Sequence, residues 1–128
     1  MTSDDLRGWI EAYERAWRTA GTGPLAQLFA PEATYAAGPY EPVLTGLEEI
    51  AAFWEAERDG PGEHFTLSWA PVAVDGDTGV ARVAVRYDPP HGTEYRDLWI
   101  VRLAADGRAT VFEEWPFHPG QPLSAPRP

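Results

Sequence analysis

Between Leu6 and Ala20 the apolar residues Leu6, Trp9, Ile10, Tyr13, Trp17 and Ala20 recur at helical spacing and form one wide stripe. Ser3 is placed to cap this helix. Asp4 and Asp5 then fall in its first turn and Arg15 and Arg18 in its last, the signs that the helix dipole favours. Gly21 ends it. Pro24 opens a short second helix carrying Leu25, Leu28 and Phe29, which Pro31 stops. Residues 33–36 read as a brief strand, followed by a loop rich in Gly and Pro through Pro42. Thr45-Gly46-Leu47-Glu48 has the form of a capping box and starts a third helix, with Leu47, Ile50, Phe53 and Trp54 on its buried face. Gly60-Pro61-Gly62 closes that helix.

From His64 onward the period changes to two, with β-branched and aromatic residues dominating. Four strands follow, over 64–74, 79–88, 93–104 and 108–117. Asp75-Gly76-Asp77, Asp88-Pro89-Pro90-His91-Gly92 and Asp106-Gly107 separate them as turns. Beyond His118 there is no periodicity. The chain thus divides into one domain, 1–118, and a Pro-rich tail, 119–128. Helices followed by a strand meander predict an α+β domain, with three N-terminal helices packed on one face of an antiparallel sheet. Strands this long coil, so one end of the sheet opens into a pocket.

The last hairpin fixes which side chains share a face. A two-residue Asp106-Gly107 loop pairs Ala105 with Arg108, which sets Val101 opposite Phe112, Trp99 opposite Glu114 and Asp97 opposite Pro116. Tyr95, Asp97, Trp99, Val101 and Leu103 then share a face with Phe112, Glu114 and Pro116, joined by Val83, Val85 and Tyr87. This face is apolar and aromatic and should meet the helices. The opposite face mixes Arg82, Arg86, Arg96 and Arg102 with Leu98, Ile100, Glu113 and Trp115, too apolar for a solvated surface and suited to a subunit interface.

Composition narrows the chemistry. The 128 residues are 44% hydrophobic and 23% charged, with 20 acidic against 10 basic residues and a net charge of −10. Such a surface repels phosphate, so nucleic acid and anionic membranes are not expected partners. The chain has no Lys, Asn or Cys. That excludes lysine Schiff bases, thiolate nucleophiles, disulfides and N-glycosylation. The acidic N-terminus is unlike a signal peptide and no apolar run reaches membrane-spanning length, so a soluble cytoplasmic protein is expected.

Two acids, Asp97 and Glu114, fall on the apolar sheet face. Desolvation by rings raises a carboxyl pKa, which is how enzymes prepare a general acid or base near neutrality. Asp97 could instead accept a hydrogen bond from Tyr13 or a Trp N–H, or sit in water at an open rim. A register slip would exchange Glu114 for Glu113. Tyr13 and Trp17 share a helix face and can be plain core; if the sheet encloses a pocket, the Tyr13 hydroxyl needs a partner, and Asp97 is the natural one. His64, His91 and His118 have no metal-ligand spacing, so no metal is expected. Gly21-Thr22-Gly23-Pro24-Leu25-Ala26 follows a helix rather than a strand and is no dinucleotide fingerprint.

The Trp- and Tyr-rich first helix, Leu28-Phe29-Ala30-Pro31-Glu32-Ala33-Thr34-Tyr35, Gly46 with Ile50 and Phe53-Trp54, and the ending Phe112-Glu113-Glu114-Trp115-Pro116-Phe117 resemble the nuclear transport factor 2-like superfamily, and within it the SnoaL-like branch. The likeness runs from about residue 4 to 118. It implies a cone-shaped α+β barrel, helices in the concave face of a strongly curved antiparallel sheet, with homodimers packed through the convex face. The superfamily holds isomerases, dehydratases and polyketide cyclases as well as non-catalytic binding proteins. The oxyanion-hole tyrosine of its steroid isomerases corresponds to Tyr13. Their general base falls on Ala37 and their second acid on Trp99, so that apparatus is incomplete here.

The expectation is therefore a small-molecule pocket with cofactor-independent acid/base chemistry on a hydrophobic cyclic or polyketide-like substrate. Asp97 transfers the proton, Tyr13 stabilises an enolate-like oxygen and Glu114 assists. Trp17, Tyr35, Trp54, Tyr87, Trp99, Phe112 and His118 contact substrate. The alternative is a non-catalytic binding or dimeric scaffold protein, in which both acids are exposed or fully paired.

Overall fold

Thr2, not Ser3, caps helix α1 (Ser3–Arg18) in the computed structural model, which describes residues 1–58, 64–89 and 92–121. The Thr2 hydroxyl accepts from the Asp5 N–H at 3.1 Å, and the Asp5 carboxylate accepts from the Thr2 N–H at 2.7 Å. A capping box needs its acid three residues after the cap; Asp5 stands there for Thr2, whereas Leu6 would stand there for Ser3. Leu6, Trp9, Ile10, Tyr13 and Ala16 form the buried stripe of α1, each large side chain contributing roughly 1.5–3 kcal/mol of apolar burial.

Helix α2 covers only Leu25–Leu28, because Phe29 already starts strand β1 (Phe29–Ala36), which is longer than the predicted 33–36 segment. Strand β2 (Val43–Thr45), which the sequence did not predict, follows the Gly- and Pro-rich loop, takes in Thr45 of the expected capping box and pairs antiparallel with β1. Helix α3 (Leu47–Glu57) follows, but the capping box does not form. Thr45 is held in β2, and Gly46, at φ 88°, becomes the cap with no side chain to offer. The predicted close of α3 at Gly60-Pro61-Gly62 lies outside the described residues, as do His91 and residues 122–128 of the tail.

The remaining strands are β3 (Phe65–Asp75), β4 (Thr78–Tyr87), β5 (Glu94–Leu103) and β6 (Ala109–Phe117). Together they make one six-stranded sheet in the order β2-β1-β6-β5-β4-β3. The sheet is mixed rather than wholly antiparallel: β1 runs parallel to β6. This pairing is possible because the whole meander intervenes between the two strands, long enough for a crossover. The sheet curls around the helices as the cone-shaped α+β architecture requires, yet stays open, with β2 and β3 as edges.

The β5–β6 register sets Val101 against Phe112, Trp99 against Glu114 and Asp97 against Pro116, as expected. The turn itself is different. Ala104 pairs with Arg108 across a three-residue loop, with Gly107 at φ 86° as its left-handed residue. An extra residue at Thr110, between the Leu103–Ala109 and Arg102–Val111 pairs, then restores the phase.

Packing closes one end of the cone and leaves the other open. At the closed end Gly79 faces α1, and a Cβ there would lie 2.8 Å from the Met1 sulfur and 3.0 Å from Leu6. Next to it, Ala81 is also fully buried, so small residues on β4 let the helix approach. Beside the C-terminal half of α1, the Trp17 and Trp54 rings pack edge to face at 4.8 Å. The Arg58 guanidinium ties the helices together there, donating to the Ala16 carbonyl at 2.8 Å and the Gly21 carbonyl at 2.6 Å. It also stacks on Trp17 and Trp54, 5.3 and 5.2 Å from their centroids.

Candidate active site

The open end of the cone holds a cavity of about 510 Å³. Tyr13 and Trp17 of α1 form one wall and Phe53 of α3 another. Tyr35 of β1, Tyr87 of β4, and Trp99, Asp97 and Tyr95 of β5 supply the sheet side, with Glu114 from β6. Strand alternation explains this set: Asp97 and Trp99 are two apart on β5, and Glu114 stands opposite Trp99.

Seven of the residues singled out from the sequence meet at this cavity: Asp97, Tyr13, Glu114, Trp17, Tyr35, Tyr87 and Trp99. Three do not line it. Trp54 and Phe112 are fully buried in the core. The Trp54 ring is covered by Tyr13 and Trp17, and Phe112 is enclosed by Trp9, Tyr13, Tyr35 and Trp99. His118 is exposed beyond the end of β6, its ring 6.5 Å from that of Tyr95. Phe53, Phe65 and Leu67 line the cavity without having been singled out, because as members of ordinary apolar stripes they carry no separate signal.

Asp97 is 9% exposed. Its Oδ2 accepts from the Trp99 indole N–H at 3.1 Å, while Oδ1 is buried without a partner. The expected Tyr13–Asp97 bond is absent. The Tyr13 hydroxyl lies instead 3.2 Å from the Tyr35 hydroxyl, and the tryptophan N–H that the sequence offered as an alternative serves Asp97. Burial pushes the Asp97 carboxyl up to about 6, and the Trp99 hydrogen bond pulls against that rise.

Glu114 is perturbed further. Burial raises its pKa to about 8, the Asp97 charge adds to the rise, the Tyr35 hydroxyl opposes it, and Glu57 adds a smaller push. Tyr13 and Tyr35 are both raised well above the usual phenol value, first by burial and then by the Glu114 charge, so both stay neutral. Of these two carboxyls, Asp97 is therefore ionised and Glu114 protonated near neutral pH, beside two phenol donors. Neighbouring carboxyls whose environments separate their pKa values are suited to opposite roles, base and acid. Among the described residues no three His, Cys, Asp or Glu side chains gather as a metal site would require, and no helix is long and apolar enough to cross a membrane.

No curated protein matches the chain. Solved structures share its fold at low identity. A candidate ketosteroid isomerase from Kribbella flavida superposes with a TM-score of 0.68 at 13% identity, over 95% of this chain and 84% of that one. A candidate isomerase of the SnoaL-like family from Agrobacterium tumefaciens gives 0.68 at 23% identity, over 89% and 98%. A candidate polyketide cyclase from Sinorhizobium meliloti gives 0.67 at 23% identity, over 89% and 99%. The family profile described as the SnoaL-like domain matches residues 10–112, most of the chain. This chain belongs to the SnoaL-like family.

Proposed function

We propose that the cavity performs cofactor-independent acid/base catalysis, of isomerase or cyclase type, on a small carbonyl compound. The observation that carries this reading is the pair of carboxyls in one cavity, Asp97 at about 6 and Glu114 at about 8. The Asp97 carboxylate removes a proton from the carbon beside the carbonyl. The electron pair moves onto the carbonyl oxygen, where Glu114 and the Tyr13–Tyr35 pair donate hydrogen bonds to the forming enolate. Return of the proton to a different carbon completes an isomerisation. Attack of the enolate on a second carbonyl carbon of the same molecule closes a ring, and the alkoxide that forms as its C=O π bond breaks takes the proton back from Asp97 to complete a cyclisation. A cavity of about 510 Å³ admits a molecule of several rings, and the names of the structural neighbours belong to the same reaction classes.

A non-catalytic scaffold would leave both acids exposed or fully paired. Asp97 is neither, with one oxygen buried and unpartnered. The steroid-isomerase arrangement is not reproduced: Ala37 lines the cavity where the resemblance places a base, and Trp99 holds Asp97 where it places an acid. The outer sheet face, with Leu98, Ile100 and Trp115 half-buried among arginines, supports pairing of two copies through it.

Exchange of carbon-bound hydrogen for solvent deuterium tests the reading. A panel of cyclic ketones and β-diketones, followed by NMR, should include compounds that exchange with the protein and do not with Asp97→Asn. If Asp97→Asn exchanges them at the full rate, Asp97 is not the base.

A further inference from the structure

The described residues lining the cavity include no Arg, Lys or His, but five carboxylic acids: Glu14, Glu41, Glu57, Asp97 and Glu114. Only Glu14 has a basic partner among the described residues, Arg18 at 2.8 Å. Arg18 is occupied at the same time by the Phe65 carbonyl at 2.9 Å and by the face of the Phe65 ring, 3.9 Å away. Glu41 and Glu57 are exposed at the mouth, whereas Asp97 is nine-tenths buried with Oδ1 unpartnered. Acids therefore stand at both the entrance and the floor, and the low-dielectric walls between them focus a negative potential into the cavity.

The walls are aromatic. Tyr13, Trp17, Tyr35, Tyr87, Tyr95 and Trp99 all face the same space. A ring face attracts a cation, most strongly where both are withdrawn from water. Rings and the unpartnered, buried Asp97 carboxylate thus favour the same ligand charge, an attraction that a neutral or anionic group would not gain.

We infer that the substrate of this site carries an organic ammonium group, held against the aromatic walls with Asp97 and Glu114 beneath it. The inference rests on the cavity being the substrate site and adds the charge class that the carbonyl chemistry leaves open. Glu41 and Glu57 steer the cation in, and the rings strip its water. Asp97 Oδ1 then supplies a negative partner that nothing else in the described structure engages.

Choline and its neutral isostere 3,3-dimethylbutan-1-ol separate charge from shape. Binding of each to the whole chain, followed by calorimetry and by intrinsic tryptophan fluorescence, should favour choline by about tenfold or more. Asp97→Asn with Glu114→Gln should remove the preference while the alcohol still binds. Glu41→Gln with Glu57→Gln, on the exposed rim and harmless to folding, should reduce it about twofold to threefold. The inference is overturned if the alcohol binds as well as choline, if neither binds, or if choline's advantage survives loss of all four acids. Those outcomes leave the deuterium-exchange result untouched, so failure of the charge class and failure of the acid/base reading are told apart.

Discussion

The hydroxyls of Tyr13 and Tyr35, one from a helix and one from a strand, lie 3.2 Å apart inside the cavity. Two phenols that share one hydrogen bond have two protons between them, so one proton remains free to point at Glu114 or at a ligand oxygen. Replacing either tyrosine by Phe removes this surplus donor. Tyr13→Phe should lower kcat about 100-fold with little change in KM, as loss of an oxyanion donor does. Tyr35→Phe should also raise the pKa of Glu114, because the Tyr35 hydroxyl now holds it down. Steady-state kinetics of the two variants on any compound that the exchange assay identifies will check this.

The pH profile of kcat/KM should be bell-shaped. The acidic limb follows ionisation of Asp97, raised to about 6, and the alkaline limb follows loss of the Glu114 proton near 8. Maximum rate therefore falls close to neutrality. Glu114→Gln should flatten the alkaline limb while retaining part of the activity, whereas Asp97→Asn should cost about 100-fold to 10,000-fold at every pH. An alkaline limb that persists unchanged in Glu114→Gln would assign that ionisation elsewhere.

Stability carries the same signature with a definite sign. Asp97 and Glu114 hold protons in the folded chain up to about 6 and about 8, whereas their ordinary values are 3.8 and 4.5. Across that window the folded state binds more protons than the unfolded state, so raising the pH favours unfolding. Stability from these two groups is complete below about pH 4 and is lost as pH climbs to about 8. The lowered carboxyls Asp5, Asp77 and Asp106 act in the opposite sense, below their ordinary value of 3.8, and leave this window alone. Thermal melts should show Tm falling from about pH 4 to about pH 8, and Glu114→Gln should melt about 5 °C above the parent at the alkaline end only.

The outer sheet face gives a separate expectation. Ile100 and Trp115 are half-buried in one chain with arginines around them, and pairing of two copies would cover them. Ile100→Glu should convert a dimer to a monomer in size-exclusion chromatography with light scattering, leaving the cavity intact. A parent chain that runs as a monomer at high concentration would remove the convex-face interface.

Much of this arrangement was legible in the sequence because it depends on periodicity. The alternation along β5 and β6 is a matter of parity, so Asp97, Trp99 and Glu114 could be assigned to one face without coordinates. Helix and strand ends were less legible, since they depend on competition between neighbours. Thr45 could serve a helix cap or a strand, and pairing with β1 decided it. Phe29 could extend α2 or begin β1, and β6 supplied the partner. The hydroxyl contacts were the hardest to foresee. Tyr13 could reach Asp97 or Tyr35, and only the placement of β1 in space decides between partners 22 residues away and far along the chain. Trp54 and Phe112 resemble the lining aromatics in composition; being one ring deeper is a property of packing alone.

The extra residue at Thr110 has an effect well beyond its own turn. The loop from Ala104 to Arg108 is one residue longer than the tightest hairpin, and on its own it would deliver β6 to the sheet with odd and even positions exchanged. Glu113 would then face the rings and Glu114 the outer surface. The bulge corrects the count before the strand reaches the cavity. Pairing Thr110 regularly with Arg102, with no bulge, would set Glu113 opposite Trp99 and hand the acid's place to its neighbour without altering any residue of the cavity. The identity of the acid at the floor is in this sense counted rather than spelled, and two compensating irregularities upstream of it, the loop before Arg108 and the bulge at Thr110, keep the count.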